Sequence, residues 1–213
     1  MRRHARTLAL GAALAGYLIA WAMLTSAEAQ ASCARASAAP ASAFAARYST
    51  RIAIRCLVNE QRRRHGLPPV LSSRRLRQAA EGLAGDMVQR KFFAHVTPGG
   101  STVASRVRST GYLSQARSWM LGETLAWGTA DAGTAARLVD ALMHSPPHRA
   151  IILDRRFREV GVGVAFGVPD PGAGDTGATI ALDFGQRAAR PHARPRVRHN
   201  IGKLRPATFT GLL

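Results

Sequence analysis

The chain has 213 residues, enough for one domain with a sizeable core and flanking tails. Its formal net charge of +18 comes from 30 Lys and Arg against 12 Asp and Glu, and all but two of the basic residues, Lys91 and Lys203, are Arg. Residues 187–205 carry seven basic and no acidic side chains, whereas residues 59–186 hold 16 basic against 11 acidic, so the excess belongs partly to a tail. That tail has no aromatic residue before Phe209 to stack on bases, which argues against nucleic acid as the partner and for cell-envelope polyanions.

The N-terminus carries Arg2, Arg3 and Arg6, then an uncharged apolar run from Leu8 to Leu24, then the small-residue site Ala27-Glu28-Ala29. That order is the pattern of a signal peptide over residues 1–29, and it places the mature chain outside the cytoplasm as a secreted protein. The alternative is a retained segment that anchors the chain in the membrane. Residues 30–51 are rich in Ala and Ser and read as a linker. Cys33 and Cys56 are the only cysteines, and an even pair in an exported chain favours a disulfide between them over two free thiols.

From Arg51 the spacing of Ile54, Leu57 and Val58 predicts a helix, stopped by Gly66 and Pro68-Pro69. Leu76, Ala79, Ala80, Leu83, Ala84, Met87 and Val88 predict a second helix capped by Ser73 and ending near Arg90. A short third helix begins at Ser101 or Thr102 and closes at Gly111. A fourth spans about Asp131 to Met143 until Pro146-Pro147, with a further turn of helix over His148 to Leu153. Val160, Val162, Val164 and Phe166 then alternate with small residues, as do Ala178, Ile180, Leu182 and Phe184. These are period-two strands, joined by a Pro/Gly/Asp-rich link into an antiparallel hairpin. Helices first and strands last make an α+β domain over residues 52–186. Residues 187–213 are a basic, Pro/Arg-containing tail without the apolar content to fold.

The chain lacks G-x-S-x-G, H-E-x-x-H, a phosphate-cradling Gly-rich loop followed by Lys-Ser/Thr, and C-x-x-C. What remains is a set of spaced polar residues in apolar settings: His95 after Phe92-Phe93, Glu123 within Leu121-Gly122-Glu123-Thr124-Leu125, His148 after Pro146-Pro147, and Glu159 at the start of Glu-Val-Gly-Val-Gly-Val. Together with Asn59-Glu60, Arg62 to Gly66, Leu67-Pro68-Pro69, Arg149 and Ile152-Leu153, these pieces occur in the order found in bacterial CAP (SCP-like) domains, which the chain resembles over about residues 52–186.

The resemblance implies a three-layer α–β–α sandwich around a central antiparallel sheet. It also implies a cleft lined by two histidines and acidic residues, which in some members holds zinc or another divalent ion. Carried over by position, His95, Glu123 and His148 line that cleft, and His95 and His148 would hold the metal. The helix before His148 has no carboxylate where a second acidic residue is usual, and Glu159 is the nearest substitute in sequence. Thr124 stands where the family usually has Asn, and Pro147 where it usually has Gly. Two functions follow as expectations. One is an extracellular or envelope-associated binding module, with an apolar or lipid ligand possible in chemistry. The other is a metal-dependent, peptidase-like hydrolase using the same cleft. A third reading of the same residues has Glu123 and the histidines bracing the cleft by hydrogen bonds without any metal.

Overall fold

The structure is a computed structural model that describes Cys33, residues 44–174 and residues 176–189. The signal segment, most of the linker and the basic tail beyond Ala189 lie outside the described residues. In chain order the elements are α1 (Phe44–Arg64), β1 (Leu71–Ser72), α2 (Arg74–Arg90), α3 (Val103–Ser109), β2 (Ala116–Thr129), α4 (Ala135–His144), α5 (Pro146–Ile152), β3 (Glu159–Phe166) and β4 (Gly177–Ala189). The strands form one sheet in the order β1-β3-β4-β2. The central β4 runs antiparallel to both β2 and β3, and the two-residue β1 runs parallel to β3.

Helices cover both faces of this sheet, which makes the three expected layers. On one face, Ala53, Ile54 and Val58 of α1 and Leu138, Val139 and Leu142 of α4 pack on Val160, Val162 and Val164 of β3 and on Ile180, Leu182 and Phe184 of β4. On the other face, Ala80, Leu83, Ala84 and Met87 of α2 meet Leu125 and Ala181. A smaller cluster beside it joins Leu76 and Ala79 of α2 to Val107 of α3 and to Tyr112. The apolar stripes read from helical spacing are therefore the surfaces that meet the sheet.

Local chemistry sets the helix ends. Gly66, at φ 67°, supplies the left-handed turn that ends α1. Thr102 and Ser105 form a reciprocal capping box at the start of α3. Pro146 and Pro147 end α4 and also open α5, where a missing N–H costs nothing because the first helical amides have no partner within the helix. The linker is shorter than expected, since α1 begins at Phe44. Cys33 is joined to Cys56 of α1 by the expected disulfide.

Two strands are absent from the sequence reading, the two-residue β1 and β2, the sheet's longest strand. From Met120 to Thr129 both rows of β2 are buried or half-buried, so neither is polar enough to give a period-two signal.

Candidate functional site

Glu123 lies in β2 on the face turned toward α2 and α3. Its row neighbours Leu121 and Leu125 belong to the two apolar clusters on that face, so the carboxylate is set between them. The side chain is only 3% exposed, and a buried carboxylate is costly unless it is hydrogen-bonded. Both of its oxygens are occupied. Oε1 lies 2.8 Å from Nδ1 of His95, and Oε2 accepts from Nη2 of Arg106 at 2.6 Å.

Arg106 was not singled out from sequence, yet it organises the site. From α3 it also donates to the main-chain oxygens of His95 (3.1 Å) and Ser101 (2.7 Å), tying the loop after α2 to the sheet. Its position three residues after Val103 and one before Val107 puts it on the inward stripe of α3, and an Arg on an apolar stripe was the available signal.

Asp183 is the second acidic group at the site. It lies directly across from Glu123 in the β2–β4 register and is fully buried. Among the described residues no N–H or O–H donor reaches either of its oxygens, and the group facing it across the register is the Glu123 carboxylate. Two acceptor-only carboxylates cannot bond each other, so Asp183 must carry the proton. Burial first, then the charge of Glu123 and the hydrogen bond to it, hold its pKa well above the ordinary carboxyl value, while Arg106 opposes this.

In the folded state Asp183 therefore keeps its proton over a pH range in which the unfolded chain releases it. Stability must fall as pH rises from the ordinary carboxyl range toward the raised value. Asp183→Asn, which replaces the O–H donor by an amide donor, is expected to flatten this dependence. Its melting temperature should exceed the parent's by a few degrees at pH 8 and match it near pH 4. Parallel melting-temperature profiles for the two proteins across that range would contradict the assignment.

The imidazole of His95 is 55% exposed, with Nδ1 turned inward to Glu123. His148, on α5, is half-buried. Its pKa is held below the ordinary imidazole value, first by burial and then by the positive charge of His95, so the two rings lie within each other's field. Glu159 sits elsewhere. It lies on β3, two strands from β2, and pairs with Gly185 of β4. Its Oε2 accepts from the Tyr112 hydroxyl at 2.6 Å and lies 3.8 Å from Nε of Arg187. The acidic neighbour of Glu123 is thus Asp183, one strand away, and not Glu159. Among the described residues no group of three or more His, Cys, Asp or Glu side chains is arranged to hold a metal ion.

Residues 56–171 match the profile of the cysteine-rich secretory protein family, CAP. The chain belongs to the CAP family. This CAP domain also resembles solved structures. One is an extracellular protein of Bacillus anthracis containing an SCP domain, at 22% identity and a TM-score of 0.53, covering 65% of this chain and 41% of that one. Another is an outer surface protein of Borrelia burgdorferi, at 19% identity and a TM-score of 0.51, covering 63% and 90% respectively. The likeness is one of fold, and the chain spans less than half of the Bacillus protein. No curated protein matched. Among the described residues of this CAP chain, no helix is long and apolar enough to cross a membrane.

Proposed function

We propose that this CAP protein is an exported binding module whose ligand is taken up at the His95–His148 side of the cleft. The observation that carries this reading is the full engagement of Glu123. A carboxylate that is 3% exposed and held by both Arg106 and His95 orients a ring and is a poor candidate for a base that abstracts a substrate proton. That engagement removes Glu123 from the role of base in the hydrolase reading. Export accords with the signal-like N-terminus, the Cys33–Cys56 disulfide, and the extracellular and outer-surface descriptions of the two structural relatives. Phe93 and Val96, on either side of His95 in the chain and 46% and 49% exposed, supply apolar contact area for a ligand with a hydrocarbon part.

The donor set suits zinc or a similar divalent ion. With Nδ1 engaged by Glu123, His95 presents Nε2 outward, and this carboxylate–imidazole pairing fixes the ring for ligation. His148, whose pKa is lowered, is neutral at pH 7 and able to ligate. A bound ion would supply a Lewis-acidic centre with open positions for a ligand oxygen. Two protein ligands make such a site weak. In calorimetric zinc titrations at pH 7.5, His95→Ala and His148→Ala are each expected to lower affinity at least about tenfold. Because ligation requires neutral imidazole, the parent's affinity should also be lower at pH 5.5 than at pH 7.5. Zinc binding unchanged in both variants would reject the metal-holding role and leave the binding reading resting on the apolar rim.

A further inference from the structure

A second site lies at the opposite edge of the sheet from Glu123. β1 pairs only with Glu159 and Val160, so among the described residues no strand lies beside the outer edge of β3 from Gly161 onward. Helices α1 and α2 flank that edge from opposite faces, and an ion-pair bridge joins them across it. Arg51 of α1 donates to Glu81 of α2 at 2.5 Å, and Arg77 of α2 reaches the same carboxylate at 2.8 Å. A cavity of about 240 Å³ opens here, lined by Tyr48, Arg51 and Arg55 of α1, Ser72, Arg77, and Val162 of β3.

We propose that this cavity is an anion site for a phosphate group. Shielding a strand edge from pairing with another chain is reason enough for Arg51 and Arg77. It does not account for Arg55, which lines the same cavity and makes no hydrogen bond or ion pair among the described residues. Arg51 and Arg77 share the single carboxylate of Glu81, and with Arg55 on the same cavity wall this leaves two positive charges, the match for a phosphate dianion. Arg51 and Arg77 each contact Glu81 through Nη1 alone, so their Nε and Nη2 donors remain for a ligand.

The shared carboxylate also holds both forks in place, which lowers the entropy lost on binding. Arg51 is already largely buried, at 16% exposure. A tetrahedral phosphate can offer oxygens to three forks at once, whereas a carboxylate has only two. The cavity exceeds a single phosphate, and the ring of Tyr48, 5.4 Å from the Arg51 guanidinium carbon, borders the remaining space. The ligand is therefore a phosphomonoester rather than the free ion alone. The site stands apart from the His95 cleft, and either can fail without the other.

The test uses the full-length, disulfide-bonded chain. Arginine Nε–H resonances are followed by NMR at constant ionic strength during titration with inorganic phosphate, glycerol phosphate, dimethyl phosphate or acetate. Saturable shifts at Arg51, Arg55 and Arg77 at millimolar inorganic or glycerol phosphate are expected. Binding of glycerol phosphate at least as tight as that of inorganic phosphate supports the monoester site, and equal binding of dimethyl phosphate, a monoanion, would overturn the charge match. Arg55→Gln should weaken binding about tenfold with no change in melting temperature, since Arg55 braces nothing. Arg64→Gln, which alters an exposed arginine of α1 paired with Glu60, should leave binding unchanged. Linear shifts without saturation, acetate binding as well as phosphate, or equal effects of the two substitutions would overturn the proposal.

Discussion

Replacing Arg62 is expected to cost this domain about 3–5 kcal/mol, enough to leave many single domains largely unfolded. Arg62 is fully buried, and each nitrogen of its fork is spent on main-chain oxygen. Nε donates to Pro68 at 2.9 Å, Nη1 to Ile152 at 2.7 Å and Asp154 at 3.0 Å, and Nη2 to Phe157 at 3.3 Å. These carbonyls lie in the loop after α1, at the last residue of α5 and in the loop between α5 and β3. Arg62→Met keeps most of the apolar stem but strands the Pro68 and Ile152 carbonyls, each at a cost on the order of 1–3 kcal/mol before relaxation and water entry, and leaves Asp154 and Phe157 only the bonds from the Phe157 amide (3.4 Å) and Arg158 Nη1 (3.2 Å). Lysine has one nitrogen centre and cannot span the set. Urea denaturation should show the midpoint of Arg62→Met falling by more than half, with Arg62→Lys only partly better. A midpoint within experimental error of the parent would show that the loops find other donors.

A comparable loss is expected from Gly163→Val, by a different cause. Gly163 and Gly161 of β3 face α2 with no side chain between them and the helix. A Cβ at Gly163 would lie 2.2 Å from the carbonyl carbon of Ala80 and 2.3 Å from its oxygen, and one at Gly161 would lie 2.0 Å from the Arg77 nitrogen. The obstacle is helix backbone, so relief requires moving α2 off the sheet and opening the cluster of Ala80, Leu83, Ala84 and Met87. Gly163→Val should give little soluble protein, or a domain destabilised by more than about 4 kcal/mol. Gly82→Ala is the matched control within α2, because nothing lies within 4 Å of the added methyl and the helix gains propensity. It should raise stability by up to about 1 kcal/mol. If thermal melts placed both variants near the parent, the close approach of β3 to α2 would be wrong.

The glycines of Glu-Val-Gly-Val-Gly-Val show how much a strand pattern can and cannot say. Alternation identified the strand and put Val160, Val162 and Val164 on one buried face, where they are. Alternation alone does not say what lies over the intervening small residues, and that side is covered by a helix packed so closely that only glycine fits. Nor does it mark Asp183, in the corresponding row of β4, as the fully buried residue it is.

Sequence by itself determined the helices, whose apolar stripes and capping residues are local, and the β3–β4 hairpin. It also determined the Cys33–Cys56 pairing, which follows from there being only two cysteines, and the family, through short motifs kept in order. The tertiary structure alone decided which polar groups meet. β2 carries no period of its own, because both its faces are covered, so Glu123 had no element until the sheet formed. Register then set Asp183 beside it and left Glu159 to Tyr112 and Arg187. Arg106 reaches Glu123 across 17 positions of sequence and Arg62 reaches Phe157 across 95. Partners so far apart leave no periodic trace, since hydrogen-bond geometry between side chains is fixed only when packed layers bring their backbones together.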